Sequence, residues 1–419
     1  MSKNNNNTPR LRFPGFTGEW EEKKLGDYFE LLNGYTFKSD SYISNGSYKI
    51  ITISNVQSGL LDMSRYNSIE LLPSNIAEHQ KLKLGDIILS MTGNVGRVCI
   101  VNEPNCLLNQ RVGLLKQRNN KVDKRYLYSL INSTQFEDAM KKSGQGAAQA
   151  NISKDNIESF PILVPSSPEE QKKIADCLFE MDNLISAQAQ KVEALKEKKK
   201  GMMQELFPQK GETTPRLRFP EFTGEWEEKR LKEIFVLRNG YTPLKGEDSY
   251  WTDGEIPWFR MEDIREKGNV LYDSTQHITQ KAIKGKGCFN ANTIILATSA
   301  TIGEHALIKV AHLANQRFVN LEINPMYSRE ISIEYAYYYM YIIDEICKSI
   351  GNIGTFASVS TEALSNLLFV YPSTFAEQQK IADCLSELDT LIASETKQLE
   401  ALKDHKKGLM QQLFPQPAK

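Results

Sequence analysis

Glutamine and arginine stand side by side at Gln110–Arg111 and again at Gln316–Arg317. Neither is a nucleophile, but both are two-pronged hydrogen-bonding groups. An amide matches an adenine edge, and a guanidinium matches a guanine edge or a phosphate. Further polar residues recur in the same order around them. Thr36 and Lys38 are matched by Thr242 and Lys245; Thr92 and Asn94 are matched by Ser299 and Thr301. Arg97 belongs to the first set but aligns with Glu304, so it has no role common to both. Trp258 and Arg260, in the run IPWFR, form a separate candidate pair. Each candidate also has a plain structural reading: Gly93 and Gly96 suit a hairpin turn, Trp258 suits a strand core, and shared residues can serve the fold.

Catalytic constellations are absent from the sequence. There is no G-x-x-x-x-G-K-[ST] phosphate loop, no G-x-S-x-G, no H-E-x-x-H and no EF-hand loop. The adenine-methylating Asn/Asp-Pro-Pro-aromatic motif is missing. SGQGAAQ, from Ser143, starts like a dinucleotide fingerprint but lacks its third glycine and a preceding strand. The histidines are scattered, and His305 and His312 have no Cys or carboxylate at ligand spacing. Cys99, Cys106, Cys177, Cys288, Cys347 and Cys384 form no C-x-x-C pair and read as small buried hydrophobes.

The elements that must position these residues occur twice. TPRLRFPGFTGEWEEKKL from Thr8 returns as TPRLRFPEFTGEWEEKRL from Thr214. EQKKIADCLFEMDNLISAQAQKVEALKEKKKGMMQELFPQ from Glu170 returns from Glu377 as EQQKIADCLSELDTLIASETKQLEALKDHKKGLMQQLFPQ. Such an internal duplication decides the architecture. Between these blocks the halves diverge, keeping LLNGYTFK against LRNGYTPLK, DIILSMTGNVGRVCIV against NTIILATSATIGEHALI, and LNQRVGLL against ANQRFVNL.

The repeated block at 167–209 has a heptad seam: Ile174, Leu178, Met181, Ile185, Val192, Leu195, Met202 and Leu206. Its copy offers Ile381, Leu385, Leu388, Ile392, Leu399, Leu402, Leu409 and Leu413. Polar interruptions coincide at Gln188 and Glu395, then at Lys199 and Lys406. Ser167 before Glu170, and Thr374 before Glu377, predict capping boxes. Pro168 suits a first helical position, and Leu-Phe-Pro ends both helices. Each helix of about 40 residues would span roughly 60 Å. The matching interruptions favour the two helices pairing antiparallel over each packing only on its own insert. The run Lys196 to Lys200 is a solvated face or a contact for DNA or an acidic partner.

The inserts read as α+β. IITIS and DIILS are short strands, Asn33–Gly34 and Asn239–Gly240 are turn signals, and amphipathic helices start near Lys124 and Ser332. Tyr335, Tyr337, Tyr338, Tyr339 and Tyr341 read as packing residues. The fold class is thus two tandem α+β domains with two long helices pairing as an antiparallel coiled coil, an internal pseudo-twofold repeat. The expected boundaries are 1–166, 167–209, 210–373 and 374–419.

The 419 residues suffice for more than one core. No apolar run reaches membrane length, and the polar start MSKNNNNTPR lacks a signal-peptide core, so a cytoplasmic location is expected. Net charge is −1, which does not by itself suggest nucleic acid. Residues 26–150 are about three charges basic and 232–350 about two acidic.

Two divergent inserts, each followed by the EQKKIADCL…LFPQ helix, resemble the specificity subunit of type I restriction–modification systems. The PRLRFPEFTGEWE block and the NQR strand strengthen the resemblance, which covers nearly the whole chain. It implies target-recognition domains that each read one half of an asymmetric bipartite target in double-stranded DNA. It implies a coiled coil that sets the gap and docks two modification subunits. S-adenosylmethionine, and ATP with Mg for restriction, would belong to modification and restriction subunits, and this chain would be no enzyme and hold no cofactor or metal. The sequence leaves three other readings open: a stand-alone two-headed DNA-binding protein, a coiled-coil scaffold without DNA, and a methyltransferase or nuclease with an unrecognised site.

Overall fold

The computed structural model describes residues 7–144, 151–209, 211–351 and 358–415. The polar start at 1–6 and the SGQGAAQ run beyond Gly144 lie outside them. The chain divides into two compact units: 1–190 with 397–419, and 191–396. Each unit therefore holds one insert and part of both long helices, Pro168–Leu206 and Phe375–Leu413. Among the described residues, no helix is long and apolar enough to cross a membrane.

The first unit has an antiparallel sheet in the order Phe29–Asn33, Val112–Gln117, Ile87–Ser90, Val98–Ile100. A second sheet runs Asn67–Ile69, Tyr48–Ile51, Cys106–Leu108, Lys81–Leu82, with its middle pair parallel. The second unit repeats this plan. Its larger sheet is Phe235–Asn239, Phe318–Ile323, Thr293–Ala297, His305–Ile308, Val270–Leu271, and its smaller one is His277–Ile278, Ile256–Phe259, Leu313–Ala314. The strand in IITIS starts earlier than its sequence suggests, at Tyr48, and stops at Ile51. The helix expected from Lys124 is two helices, Lys124–Ile131 and Thr134–Ser143, because the Ser133 hydroxyl accepts from the Phe136 N–H and starts a new one. Its counterpart, Ile333–Gly351, is continuous, and its tyrosines Tyr335, Tyr337, Tyr338 and Tyr339 are buried in the core.

Each insert leaves and rejoins the scaffold through one two-stranded ribbon. Glu21–Lys24 pairs with Pro161–Val164, and Trp226–Arg230 pairs with Leu368–Pro372. The second strand of each ribbon leads directly into a long helix. The expected capping boxes form only in part. The Ser167 hydroxyl accepts from Glu170 N–H at 3.2 Å and the Thr374 hydroxyl from Glu377 N–H at 3.4 Å. The glutamate carboxylates are taken instead by arginines of the duplicated block. Arg12 donates from Nε and Nη2 to both Glu170 oxygens at 2.7 and 2.9 Å, from Nη1 to the carbonyl of Gly18, and from Nη2 also to that of Thr17. Arg218 makes the same set with Glu377, Gly224 and Thr223. Glu170 and Glu377 are 2% and 1% exposed. The next residues, Gln171 and Gln378, accept from the N–H groups of Asp123 and Ser332, where each insert's late helix begins.

Within each unit the two long helices pack together and run antiparallel. In the first unit Lys406 pairs with Asp182 at 2.5 Å. In the second, Lys199 pairs with Asp389 at 2.6 Å and Lys191 with Glu395 at 2.7 Å. Three of the four polar interruptions of the seam, Glu395, Lys199 and Lys406, are thus in interhelical ion pairs, and Lys199 is drawn out of the basic run into one of them. Ile174 and Leu178 join the first unit's core with Leu413 and Phe414; Leu206 and Phe207 join the second's with Ile381 and Leu385. Each such burial contributes about 1.5–3 kcal/mol before entropy.

Arg218→Ala leaves the buried Glu377 carboxylate with the Trp226 Nε1–H, at 3.3 Å, as its remaining side-chain donor, and is expected to destabilise the second unit by about 3–5 kcal/mol. Urea unfolding followed by tryptophan fluorescence checks this. Arg218→Ala combined with Glu377→Leu should recover most of the loss.

Candidate nucleic-acid interface

In both units Asn-Gln-Arg forms the turn that joins the two sheets. The Asn109 side chain accepts from Arg111 N–H, and its carbonyl accepts from Val112 N–H. Asn315 does the same for Arg317 and Phe318. The first residue of the motif therefore builds the turn. The second is held by its side-chain oxygen: Thr36 Oγ1 donates to Gln110 Oε1 at 2.7 Å, and Thr242 Oγ1 donates to Gln316 Oε1. Among the described residues, neither glutamine NH2 makes a hydrogen bond. Gln110, Arg111, Gln316 and Arg317 are exposed. Among the described residues, neither Arg111 nor Arg317 has a side-chain hydrogen bond or ion pair.

Asn33–Gly34 and Asn239–Gly240 are not hairpin turns. After the strand ends, Tyr35 runs parallel to Asn109, donating to Leu108 O at 2.8 Å and accepting from Gln110 N–H at 2.9 Å. A Cβ on Gly34 would lie 2.1 Å from Asn109 O, and one on Gly240 2.2 Å from Ala314 O. Glycine is required for this close backbone approach, which brings the threonine to its glutamine.

Thr242, Lys245, Trp258, Arg260, Gln316 and Arg317 line one cleft of about 550 Å³ in the second unit, with Trp251, Glu262, Gln276 and Asn315. Trp258 is buried, donates from Nε1 to Tyr241 O at 3.1 Å, and packs edge-on against Trp251. It forms the floor, and Arg260 stands beside it with its guanidinium carbon 5.9 Å from the ring. Lys245, Arg260 and Arg317 against Glu262 make the cleft locally positive although its insert is acidic overall, which is the distribution that matters for an anionic ligand.

The other candidates sit on neighbouring loops. Ser299 and Thr301 lie on the loop from Ala297 to His305, which donates from Thr298 N–H to Arg317 O. Thr92 and Asn94 occupy the matching loop, where Met91 N–H donates to Arg111 O. Gly93 and Ala300 share the same left-handed turn, with φ of 69° and 65°. Thr92 and Ser299 bridge to Asn151 and Ser358, and the Thr92 hydroxyl is buried without a hydrogen-bond partner among the described residues. Lys38 is exposed near Thr36. Arg97 turns away from this surface: Nη1 donates to Gln57, and Nε is 3.8 Å from Glu137. Trp251, Glu262 and Gln276 were not legible as site residues, because they lie where the inserts diverge and no landmark marks them. Asn109 and Asn315 stood in the quoted motif, and their recurrence before Gln-Arg was the available signal.

A model of the type I restriction modification DNA specificity domain matches residues 17–197 and again 223–404. The chain belongs to the type I restriction–modification DNA specificity family. It is 42% identical over 169 residues to the Type I restriction enzyme EcoprrI specificity subunit of Escherichia coli, an alignment spanning 39% of this chain and 42% of that relative. It is 25% identical over 409 residues to the putative type I restriction enzyme MjaX specificity subunit of Methanocaldococcus jannaschii, covering 94% of this chain and 93% of the relative. In fold it is similar to the S subunit of a type I restriction–modification system from M. genitalium, with a TM-score of 0.59 at 17% identity, covering 98% of this chain and all of that one. A specificity subunit is not itself the enzyme; catalysis and its cofactors belong to partner subunits.

His305 and His312 are buried core residues of the second unit. His305 packs on Tyr341, and His312 lies between Phe259 and Phe289. Burial pushes both imidazoles down to about 4. The unfolded chain therefore binds protons more readily than the fold below the ordinary value of about 6.5. Their contribution to stability is complete above that value and is lost as pH falls toward 4. Thermal melting across this window should show the second unit's Tm dropping, and dropping less steeply in His312→Gln.

Proposed function

We propose that each insert of this specificity subunit reads one half of an asymmetric bipartite target in double-stranded DNA. Residues 1–166 and 210–373 are the two target-recognition domains, and 167–209 and 374–419 are the helices that set the gap between half-sites and dock two modification subunits. The observation that carries this reading is the Asn-Gln-Arg turn, built twice with its glutamine fixed by a threonine and its arginine exposed. Such a surface offers a fixed amide and an exposed guanidinium to base edges and phosphates. Lys38, Gln110 and Arg111 with the Thr92 and Asn94 loop form the first DNA-facing surface. Lys245, Arg260, Gln316 and Arg317 with the Ser299 and Thr301 loop form the second.

In the complex, the modification subunits would supply S-adenosylmethionine and methylate adenine, and restriction subunits would add ATP- and Mg-dependent cleavage. The location is the cytoplasm, where the DNA is.

Single-molecule sequencing of adenine methylation in the native host tests this. Deleting the gene should erase one asymmetric bipartite motif, and exchanging residues 26–150 for another insert should change one half of it. If every motif survives deletion in a host expressing the modification subunit, the reading fails. Arg317→Ala in the purified assembly with its modification subunits should weaken binding to all sequences and reduce the salt slope by about 1, as expected for a phosphate contact.

A further inference from the structure

Beside the shared turn, the two inserts hold different side chains at one equivalent backbone position. The register establishes the equivalence. Ile51 lies opposite Leu108, and Phe259 lies opposite Ala314, each just before the turn asparagine. Asn109 N–H donates to Ile51 O at 3.2 Å, and Asn315 N–H to Phe259 O at 2.9 Å. The next residue is Thr52 in one insert and Arg260 in the other. Both backbones then make the same bond to a side chain three residues on: Thr52 N–H to Asn55 Oδ1 at 2.9 Å, and Arg260 N–H to Asp263 Oδ2 at 2.8 Å. At this position the main-chain bonding is the same in both inserts, while the side chain is a threonine in one and an arginine in the other.

The chemistry of that change is large. Arg260 puts a guanidinium into the cleft beside Gln316 and Arg317. Its Nε is buried with no hydrogen-bond partner among the described residues, and the nearest carboxylate, Glu262, is 3.9 Å away. Nε is therefore closed off from solvent, and the two terminal guanidinium nitrogens, which make no hydrogen bond among the described residues, are the donors left for an incoming acceptor. At the same place the first insert has only hydroxyls: Thr52 Oγ1, 2.8 Å from Ser54 Oγ and 2.8 Å from Asn55 Oδ1.

We propose that this position is the specificity-determining one, and that Arg260 selects a guanine in the half-site read by the second insert. Residues common to two readers of different sequences cannot discriminate between those sequences. Gln110–Arg111 and Gln316–Arg317 therefore hold the DNA in a common register, and the position adjoining them discriminates. A guanidinium pairs with guanine O6 and N7 in the major groove, while threonine and serine hydroxyls accept more than one base. This inference rests on the DNA-reading function above.

The test introduces Arg260→Ala and Arg260→Gln into the native gene and sequences adenine methylation in the host. Exchange of residues 26–150 identifies the half-site belonging to the first insert. Arg260→Ala should abolish the requirement for guanine at one position of the other half-site, with about a 5- to 150-fold loss of preference. Arg260→Gln should move that position toward adenine, and the first half-site and the gap should stay as they were. The inference is overturned if both variants keep the parental motif, if the change falls in the first insert's half-site, or if both variants lose all methylation while still co-purifying with the modification subunits. If alanine fails to co-purify, the glutamine variant decides alone. Survival of the motif on deletion of the whole gene would instead sink the DNA-reading function, so the two failures are distinguishable.

Discussion

Two buried carboxylates organise this molecule. Glu170 and Glu377 sit in the first turn of the long helices, nearly without solvent, and each is gripped by both prongs of an arginine from the duplicated block. A buried carboxylate without a partner is strongly unfavourable, so the block must close over the helix start for either to be stable. The same arginine ties down the carbonyls of its own Thr-Gly turn, where Gly18 and Gly224 take φ of 87° and 93°. That one contact explains why the arginine, the Thr-Gly pair and the glutamate all recur in both copies.

The clamp also explains how the inserts can diverge. Each enters and leaves through a short antiparallel ribbon, and the clamp and the buried glutamine after it fix both ends of that ribbon to the helix. The loop-closing entropy of an insert is met once at its base, whatever lies between. What is then kept inside each insert is small: a glycine that lets two backbones touch, a threonine that pins a glutamine, and an asparagine that shapes a turn. These residues fix the turn and the side-chain oxygen of its glutamine.

Much of this was legible from residues alone, and the limit has a physical cause. Duplication, the heptad seam, the helix ends at Pro168 and Leu-Phe-Pro, and the candidate pair Gln-Arg are local patterns, visible because they repeat at short spacing. The Asn-Gly pairs misled, since glycine serves both turns and close approach, and only the facing strand distinguishes them. The Ser-x-x-Glu signature was half right: its hydroxyl caps the helix, but a guanidinium far away in sequence outcompetes the local N–H for the carboxylate. Arg97, a candidate contact from its place in the first set, is engaged with Gln57 and Glu137.

The sequence by itself determined that there are two copies of one unit, that long helices with matching interruptions link them, and that the chain belongs to a specificity family. Tertiary structure decided which partner each polar group takes. Lys199 faces Asp389 and Lys406 faces Asp182 because the helices run antiparallel within each unit. Thr52 and Arg260 became equivalent only through strand register, since the inserts share no sequence there. Periodicity is a short-range property of the chain, whereas the match of a donor to an acceptor depends on residues that meet only after folding.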